Sequence, residues 1–467
     1  MVSIDATVVI LAIPDIMVEL GANLISVTWV LMAYIFATTV LLLSLGRVAD
    51  IYGRVKLYNV GFVVFTVGSA FCGLAQSDNQ LIGARVLQGV GGALMLVNSW
   101  AILTEVFPPD QRGMAMGLNS MVFGLGSIAG PLLGGFILAA ASWRWIFLIN
   151  LPVGTIGTLA AYRYLREMSR PSREERLDPA GTLSCSLGLF ALLLALTQGV
   201  SVGFLSPPIL ALLGFSAAAL AFFLAWERRY CCPALDLRLF RSRQFNFAIT
   251  AATIQAVAVF AVQFMVVFYL QAVRGNSALQ AALLLLPMPV ALAAIGPFSG
   301  RLSDKIGPRL PTTAGLLVQA LGIYMLSTVT PDTPYPFIML GLGLAGFGGG
   351  LFFSPNTSAA MGAAPRERLG VASATLSTLR NTGMVTSYAL ALAISAASLP
   401  PEIVTQLFLG TATHLGTDLM AAFVEGMETA LCASALICLI AAALSFVRGS
   451  QSDQGIPAAG QAEASGQ

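Results

Sequence analysis

The sequence is dominated by apolar runs of about twenty residues, the length that a helix needs to cross the hydrocarbon core of a bilayer. Hydrophobic residues make up 57% of its 467 positions and charged residues only 10%, against about 25% in an average soluble protein. A soluble chain of this length has too little interior volume to bury so much apolar surface. The sequence therefore predicts an all-α integral membrane protein.

Fourteen segments satisfy the length criterion. They are residues 1–20, 26–46, 57–76, 79–105, 113–140, 144–165, 180–201, 207–226, 245–271, 277–298, 310–329, 335–355, 369–398 and 421–447. Lys and Arg mark the cytoplasmic side, where short loops carry an excess of them. With a cytoplasmic N-terminus, the basic residues fall in cytoplasmic loops except Arg144 and Arg274 outside and Arg85 and Arg380 within spans. Both termini are therefore expected in the cytoplasm.

One loop motif occurs twice in the chain. GRVADIYGRVK begins at Gly46, after the second predicted span, and GRLSDKIGPR begins at Gly300, after the tenth. Internal repeats of this kind are typical of secondary transporters. The separation of eight spans predicts two six-helix halves with two inserted helices. The Gly/Ala/Ser/Gln-rich end of the chain predicts a disordered cytoplasmic tail. The predicted boundaries are 1–165 and 245–448 for the halves, 166–244 for the insert and 449–467 for the tail.

The repeated motif has the features of a gate. Its glycines permit a tight turn between helices. Asp50 and Asp304 are placed to meet the positive N-terminus of a neighbouring helix, and Arg54 to pair with an acidic side chain. Contacts of this kind can form in one conformation and break in another. The candidate gating residues are Gly46, Asp50, Gly53, Arg54, Gly300, Asp304 and Gly307.

Charged side chains within a membrane are costly and mark candidate functional sites. The helical rise places Asp5 and Arg380 near the midplane, and Arg85 roughly 9 Å deep with a side chain able to reach the level of Asp5. Asp5 is either a coupling site whose charge follows conformation or a structural acid that neutralises Arg85. Glu105 is the second candidate proton carrier. A midplane Asp5 also implies that about ten residues of the first helix precede Met1.

Several motifs resemble those of the major facilitator superfamily, and in particular of its fourteen-spanning drug:proton antiporters. The repeated loop resembles the superfamily's loop signature, and LIGARVLQGVGGAL (81–94) resembles its fourth-helix signature. IDATVVILAIP, WRWIFLINLPVG and PRERLGVASATLSTLRNTG resemble the antiporters' stretches in the first, sixth and thirteenth helices. The resemblance implies the major facilitator fold and a proton-coupled exporter of amphipathic small molecules that works by alternating access.

The stretch 117–135 resembles the antiporter signature of the fifth helix, through Gly117, Gly126, Gly130, Pro131, Gly134 and Gly135. Glycines that recur every four residues form a smooth face for close helix packing. Pro131 removes a backbone hydrogen bond and permits a bend.

The candidate residues of the substrate cavity are Gln88, Arg380, Asn381, Gln255 and Gln263. Two departures from the family pattern bear on function. Pro308 stands where the loop signature has a basic residue, which predicts a weaker second gate. The ninth, tenth, twelfth and thirteenth spans contain no acid, which argues against dicationic substrates.

Two alternatives to an antiporter remain open: a proton symporter that imports a nutrient, and a non-transporting receptor or assembly protein of the same fold. An enzyme is not expected, because the chain shows no nucleophile–base constellation, phosphate loop or metal-ligand set. No cofactor is predicted, and a net charge of +2 gives no basic footprint for nucleic acid. The expected partners are a small-molecule substrate, protons and the lipid of a bacterial or archaeal cytoplasmic membrane, with the protein acting as a monomer.

Overall fold

The computed structural model of the protein describes residues 1–22, 24–168, 178–230, 233–396 and 417–447, which are almost entirely helical. The helices that precede the predicted insert are α1 (Val2–Leu20), α2 (Leu24–Tyr52), α3 (Arg54–Leu74), α4 (Asp78–Val106), α5 (Arg112–Ala140), α6 (Arg144–Leu148) and α7 (Asn150–Tyr164). Because α6 and α7 are separated only at Ile149, they form one continuous rod.

The remaining helices are α8 (Pro179–Val202), α9 (Pro207–Glu227), α10 (Arg243–Phe268), α11 (Ala278–Leu285), α12 (Pro287–Ile306), α13 (Arg309–Ser327), α14 (Tyr335–Gly362), α15 (Leu369–Ala396) and α16 (Thr417–Val447). A short π-helical turn, Tyr269–Val273, extends α10. Short 3₁₀ turns, Leu237–Arg241 and Arg366–Arg368, precede α10 and α15.

Within the described ranges, twelve helices are long and apolar enough to cross a membrane. The prediction of an all-α membrane protein is thus confirmed. The count of fourteen spans stays a prediction, because α1 and α15 are not among these twelve. The division of the chain into two halves and an insert also stays a prediction, and the tail 449–467 lies outside the described residues.

Turn chemistry explains several helix ends. Ser77 caps α4 by accepting a hydrogen bond from the Gln80 amide, and Asp178 caps α8 by accepting one from the Gly181 amide. Gly53 and Gly307 occupy equivalent positions in the two copies of the repeated motif, with φ of 105° and 82°. Residues other than glycine rarely adopt a positive backbone φ, so each copy needs its second glycine for the turn.

We refer to α1–α7 and to α10–α16 as two sets of helices, and packing contacts occur both within each set and between them. Within each set, α3 packs on α4 and α13 packs on α14. Across the interface, α5 packs on α12 and α2 packs on α15, with further contacts of α4 to α15 and of α5 to α14. Helices α8 and α9 pack against each other, and α8 contacts α2 and α15. The two copies of the loop motif therefore lie where the sets meet, since α2 and α12 end in them.

The predicted orientation can be tested with two exposed turns. Asp110 lies between α4 and α5, and Asp332 lies between α13 and α14. In a chain whose six cysteines are replaced by alanine, we expect Asp332→Cys to react with a membrane-impermeant maleimide in intact cells. Asp110→Cys is expected to react only after permeabilisation. Reaction of Asp110→Cys in intact cells would contradict a cytoplasmic position for this end of the protein.

Candidate functional site

Asp50 connects the two sets of helices at the end of α2. Its carboxylate accepts hydrogen bonds from the backbone amides of Gly370 (2.8 Å) and Val371 (3.0 Å), which open α15. Unpaired amides and the helix dipole make a helix N-terminus a favourable place for a negative charge. The side chain is buried, with 7% of its surface exposed. The carboxylate therefore joins α2 to α15 through hydrogen bonds that are shielded from solvent.

Arg54 joins this carboxylate to further groups at the same end of the protein. Its Nη2 atom lies 2.8 Å from Asp50 and 2.6 Å from the Arg366 carbonyl oxygen, and its Nη1 lies 2.9 Å from Glu105. Glu167 accepts hydrogen bonds from three amides in the first turn of α3. The structure thus places Glu105, the second candidate proton carrier, beside Arg54.

Asp304 makes the equivalent contact in the second copy of the motif. It accepts hydrogen bonds from the amides of Gly113 (2.8 Å) and Met114 (2.9 Å), which open α5. Pro308 occupies the position of Arg54, so no arginine of the motif reaches this carboxylate. Asp304 is also more exposed than Asp50. The second contact therefore has fewer partners than the first, and a weaker second gate stays a prediction.

Glycines on both sides of each contact allow the helices to approach closely. Gly46 faces Gly370, and Gly300 faces Gly113. A Cβ atom on Gly370 would lie 2.5 Å from the Gly46 carbonyl oxygen and from Asp50 Oδ1. A Cβ on Gly113 would overlap the Gly300 carbonyl and Asp304 in the same way. Gly46 and Gly300 were predicted as gating residues, but Gly113 and Gly370 were not. The signal that could have found them is a glycine at the second residue of each receiving helix.

A second polar cluster is enclosed within α1–α7. Asp5 and Arg85 form a salt bridge of 2.6 Å, with 0% and 2% of their side chains exposed. Arg85 also donates to Gln88 Oε1 (2.5 Å) and to the Val30 carbonyl (3.1 Å). The Arg85 guanidinium lies 4.4 Å from the centre of the Tyr34 ring.

Gln88 connects both members of the salt bridge. Its amide nitrogen donates to Asp5 Oδ1 (2.9 Å) and to Ser69 (2.8 Å), while its oxygen accepts from Arg85. Asn150 approaches the same oxygen of Asp5 at 3.5 Å. Gln88 was predicted to line the substrate cavity, but the structure places it, fully buried, inside this cluster. Asp5 is therefore held by an arginine and two amides on α4 and α7.

A small cavity lies at the interface between the two sets of helices. Trp100 contributes from α4, and the other described lining residues come from α10, α14 and α15, among them Gln255, Phe353, Asn356, Ser377 and Arg380. The Trp100 and Phe353 rings are 5.5 Å apart, and the Arg380 guanidinium lies 3.9 Å from the centre of the Phe353 ring. The cavity combines aromatic surface, neutral polar groups and one arginine.

Other predicted residues have different surroundings. Asn381 donates to Thr39 (3.3 Å) and so links α15 to α2. Gln263 is exposed on α10 and is not among the described residues that line the cavity.

The glycines of the fifth-helix motif also differ in their surroundings. Gly126 approaches Ser3 of α1, Gly130 and Gly134 are buried, and Gly135 faces open space. The close approach of α5 to α12 uses Gly113, Gly117 and Gly124, of which Gly117 belongs to the predicted motif. The side chain of Pro131 lies outside the described residues.

The difference between the two aspartate contacts predicts unequal effects of substitution. Asn in place of Asp turns one acceptor oxygen into a donor that faces a backbone amide, and losing a hydrogen bond to a charged group costs about 1.5–3 kcal/mol. Asp50→Asn also removes the ion pair with Arg54. We expect Asp50→Asn to raise maleimide labelling of a Ser377→Cys reporter in everted vesicles by about tenfold, and Asp304→Asn to raise it less. Equal or greater labelling in Asp304→Asn would contradict this ranking.

Comparisons with known proteins agree with this arrangement. The family model of the Major Facilitator Superfamily matches residues 1–388. Multidrug resistance protein Stp of Mycobacterium tuberculosis is 34% identical over 390 residues, covering 83% of this chain and 72% of Stp. Multidrug resistance protein 3 of Bacillus subtilis is 32% identical over 386 residues, covering 82% and 75%.

Among solved structures, the proton:xylose symporter XylE shares the fold with a TM-score of 0.63 at 14% identity, covering 95% of this chain and 91% of XylE. The chain belongs to the Major Facilitator Superfamily and is a multi-pass membrane transporter, not an enzyme.

Proposed function

We propose that the protein is a proton-coupled antiporter that exports amphipathic small molecules across the cytoplasmic membrane of a bacterium, as a monomer with both termini in the cytoplasm. The observation that carries the proposal is the enclosed salt bridge between Asp5 and Arg85. A charge without water or a partner is costly in a membrane protein, so the two side chains depend on each other. The names of the two multidrug resistance relatives support export of drug-like compounds.

The proton step follows from this mutual dependence. Protonation of Asp5 from the outside removes the negative charge that holds Arg85, and the salt bridge loosens. Gln88 hydrogen-bonds to both partners, so their separation also changes its hydrogen bonds. The charge state of one carboxylate is thereby tied to the arrangement of α1, α4 and α7. This tie is what a coupling site requires.

The gate step uses the contacts of Asp50 and Asp304. Both bridge the two sets of helices at the end that carries the basic loops, which supports a role in closing this end. Opening the cavity to the cytoplasm requires both carboxylates to leave their helix N-termini. In the proposed cycle, substrate leaves outward and Asp5 takes up a proton. The empty protonated carrier then opens inward and releases the proton.

Substitution of Asp5 tests the coupling role. Asparagine keeps the size of the side chain but cannot carry charge or exchange a proton. We expect Asp5→Asn to lower substrate uptake driven by an acidic lumen in everted vesicles by at least about tenfold, with unchanged protein in the membrane. Asp15→Asn is the matched control, because Asp15 lies on the same helix and is exposed. Normal pH-driven transport by Asp5→Asn would contradict the proposal.

The direction of transport separates an antiporter from a symporter. Everted vesicles that are acidified inside should accumulate substrate if protons leave as substrate enters. A symporter would move substrate out of the same vesicles with the protons. A receptor or assembly protein of this fold would show no flux in either direction.

Glu105 offers a second test, because it is both a candidate proton carrier and a partner of Arg54. Its contact with Arg54 at 2.9 Å supports a role at the gate. We expect Glu105→Gln to slow turnover but to leave the number of protons exchanged per substrate unchanged, measured by parallel pH-dye and substrate fluxes. A lower proton count would instead assign Glu105 to the proton path.

A further inference from the structure

Two arginines lie within the helices at the level of the membrane interior, and their surroundings differ. Arg85 is neutralised by Asp5. Arg380 forms no salt bridge with any carboxylate in the part of the chain that the structure describes. It lies eleven residues into α15, about 16 Å from the helix start, which is too deep for its guanidinium to reach water at the cytoplasmic interface. Its charge is therefore turned toward the cavity.

The other lining groups do not neutralise this charge. The described residues of the cavity carry apolar, amide and hydroxyl side chains and no carboxylate. Asp5 does not serve as the missing partner here, because its oxygens are already occupied by Arg85, Gln88 and Asn150. The Phe353 ring at 3.9 Å stabilises the guanidinium only in part. The cavity thus presents one cation that an anionic ligand would complement.

The neighbouring groups indicate what else such a ligand would carry. Trp100 and Phe353 provide aromatic surface beside the guanidinium, suited to a planar apolar body. Gln255, Asn356 and Ser377 provide neutral polar groups around it. The planar fork of an arginine matches the oxygens of a carboxylate or sulfonate better than a lysine does. An acidic group next to an aromatic body satisfies all of these features.

We propose that the cavity selects amphipathic anions, with Arg380 binding the acidic group and the aromatic pair Trp100 and Phe353 binding the apolar body. This inference rests on the proposed export function and specifies its substrate class. It is also consistent with the sequences of α10, α14 and α15, which supply all the described lining residues except Trp100 and contain no acid.

The test uses three probes of one shape: 2-naphthalenesulfonate, its neutral sulfonamide, and 2-naphthyltrimethylammonium. Their affinities are measured by titration on the purified full-length protein in lipid nanodiscs. Because a hydrogen-bonded ion pair in a site without water is strong, we expect the affinity for the sulfonate to exceed that for the sulfonamide by about tenfold or more. Arg380→Gln should abolish this preference and Arg380→Lys should retain part of it. Arg274→Gln is the matched control, because Arg274 also contacts an aromatic ring but lies outside the cavity.

Each other outcome counts against the inference. Equal affinity for the three probes, preference for the cation, no binding of the sulfonate, or full preference in Arg380→Gln would overturn it. The comparison of probes on the wild-type protein needs no variant, so misfolding of Arg380→Gln does not remove the test.

The same protein in proteoliposomes separates this inference from the proposed function. A sulfonate preference without flux driven by a pH gradient would overturn antiport alone. Flux driven by a pH gradient without a sulfonate preference would overturn the anion site alone. Asp5→Asn should keep the preference while losing the flux, because Asp5 lies in a different cluster.

Discussion

The hydrocarbon region of a bilayer supplies no hydrogen-bond partner, so the polar groups of this chain have to find their partners inside the protein. Hydroxyl groups such as Thr38, Thr104 and Thr375 do so by donating to a carbonyl oxygen one turn earlier in their own helix. Asp5 and Arg85 do so by binding each other, with Gln88 as a shared partner. The same constraint makes a charge that is only partly satisfied, such as Arg380, a feature that needs a functional explanation.

The two aspartate contacts show how one motif produces related but unequal structures. In both copies the first glycine lets a neighbouring helix approach, the aspartate four residues later caps that helix, and the second glycine turns the chain. The copies differ at the residue after the turn. Arg54 hydrogen-bonds to both Asp50 and Glu105, whereas Pro308 has no side-chain donor for Asp304. The Asp50 contact is therefore reinforced by an arginine, whereas the Asp304 contact is not.

Much of the fold could be predicted from sequence, because length and hydropathy determine a membrane helix more directly than a soluble one. The approach of Asp5 to Arg85 could also be anticipated, since two opposite charges at a similar depth are strongly favoured to meet. Other features depend on how helices cross and rotate. Gln88 contacts Asp5 and does not line the cavity, and Gly113 packs against α12, because the rotation of a helix about its axis in lipid cannot be read from composition. The pairing of Glu105 with Arg54 depends on the path of α4 relative to α3.

The contacts of Asp50 and Asp304 use donors that a side-chain substitution does not remove. The donors to Asp50 and Asp304 are backbone amides, which every residue except proline supplies. Most side chains along α5 and α15 can therefore change while both contacts are kept, provided that Gly113 and Gly370 remain glycine. The described cavity residues, on α4, α10, α14 and α15, are different residues from these donors and glycines. The lining of the cavity can therefore change in sequence while the contacts of Asp50 and Asp304 with backbone amides are kept.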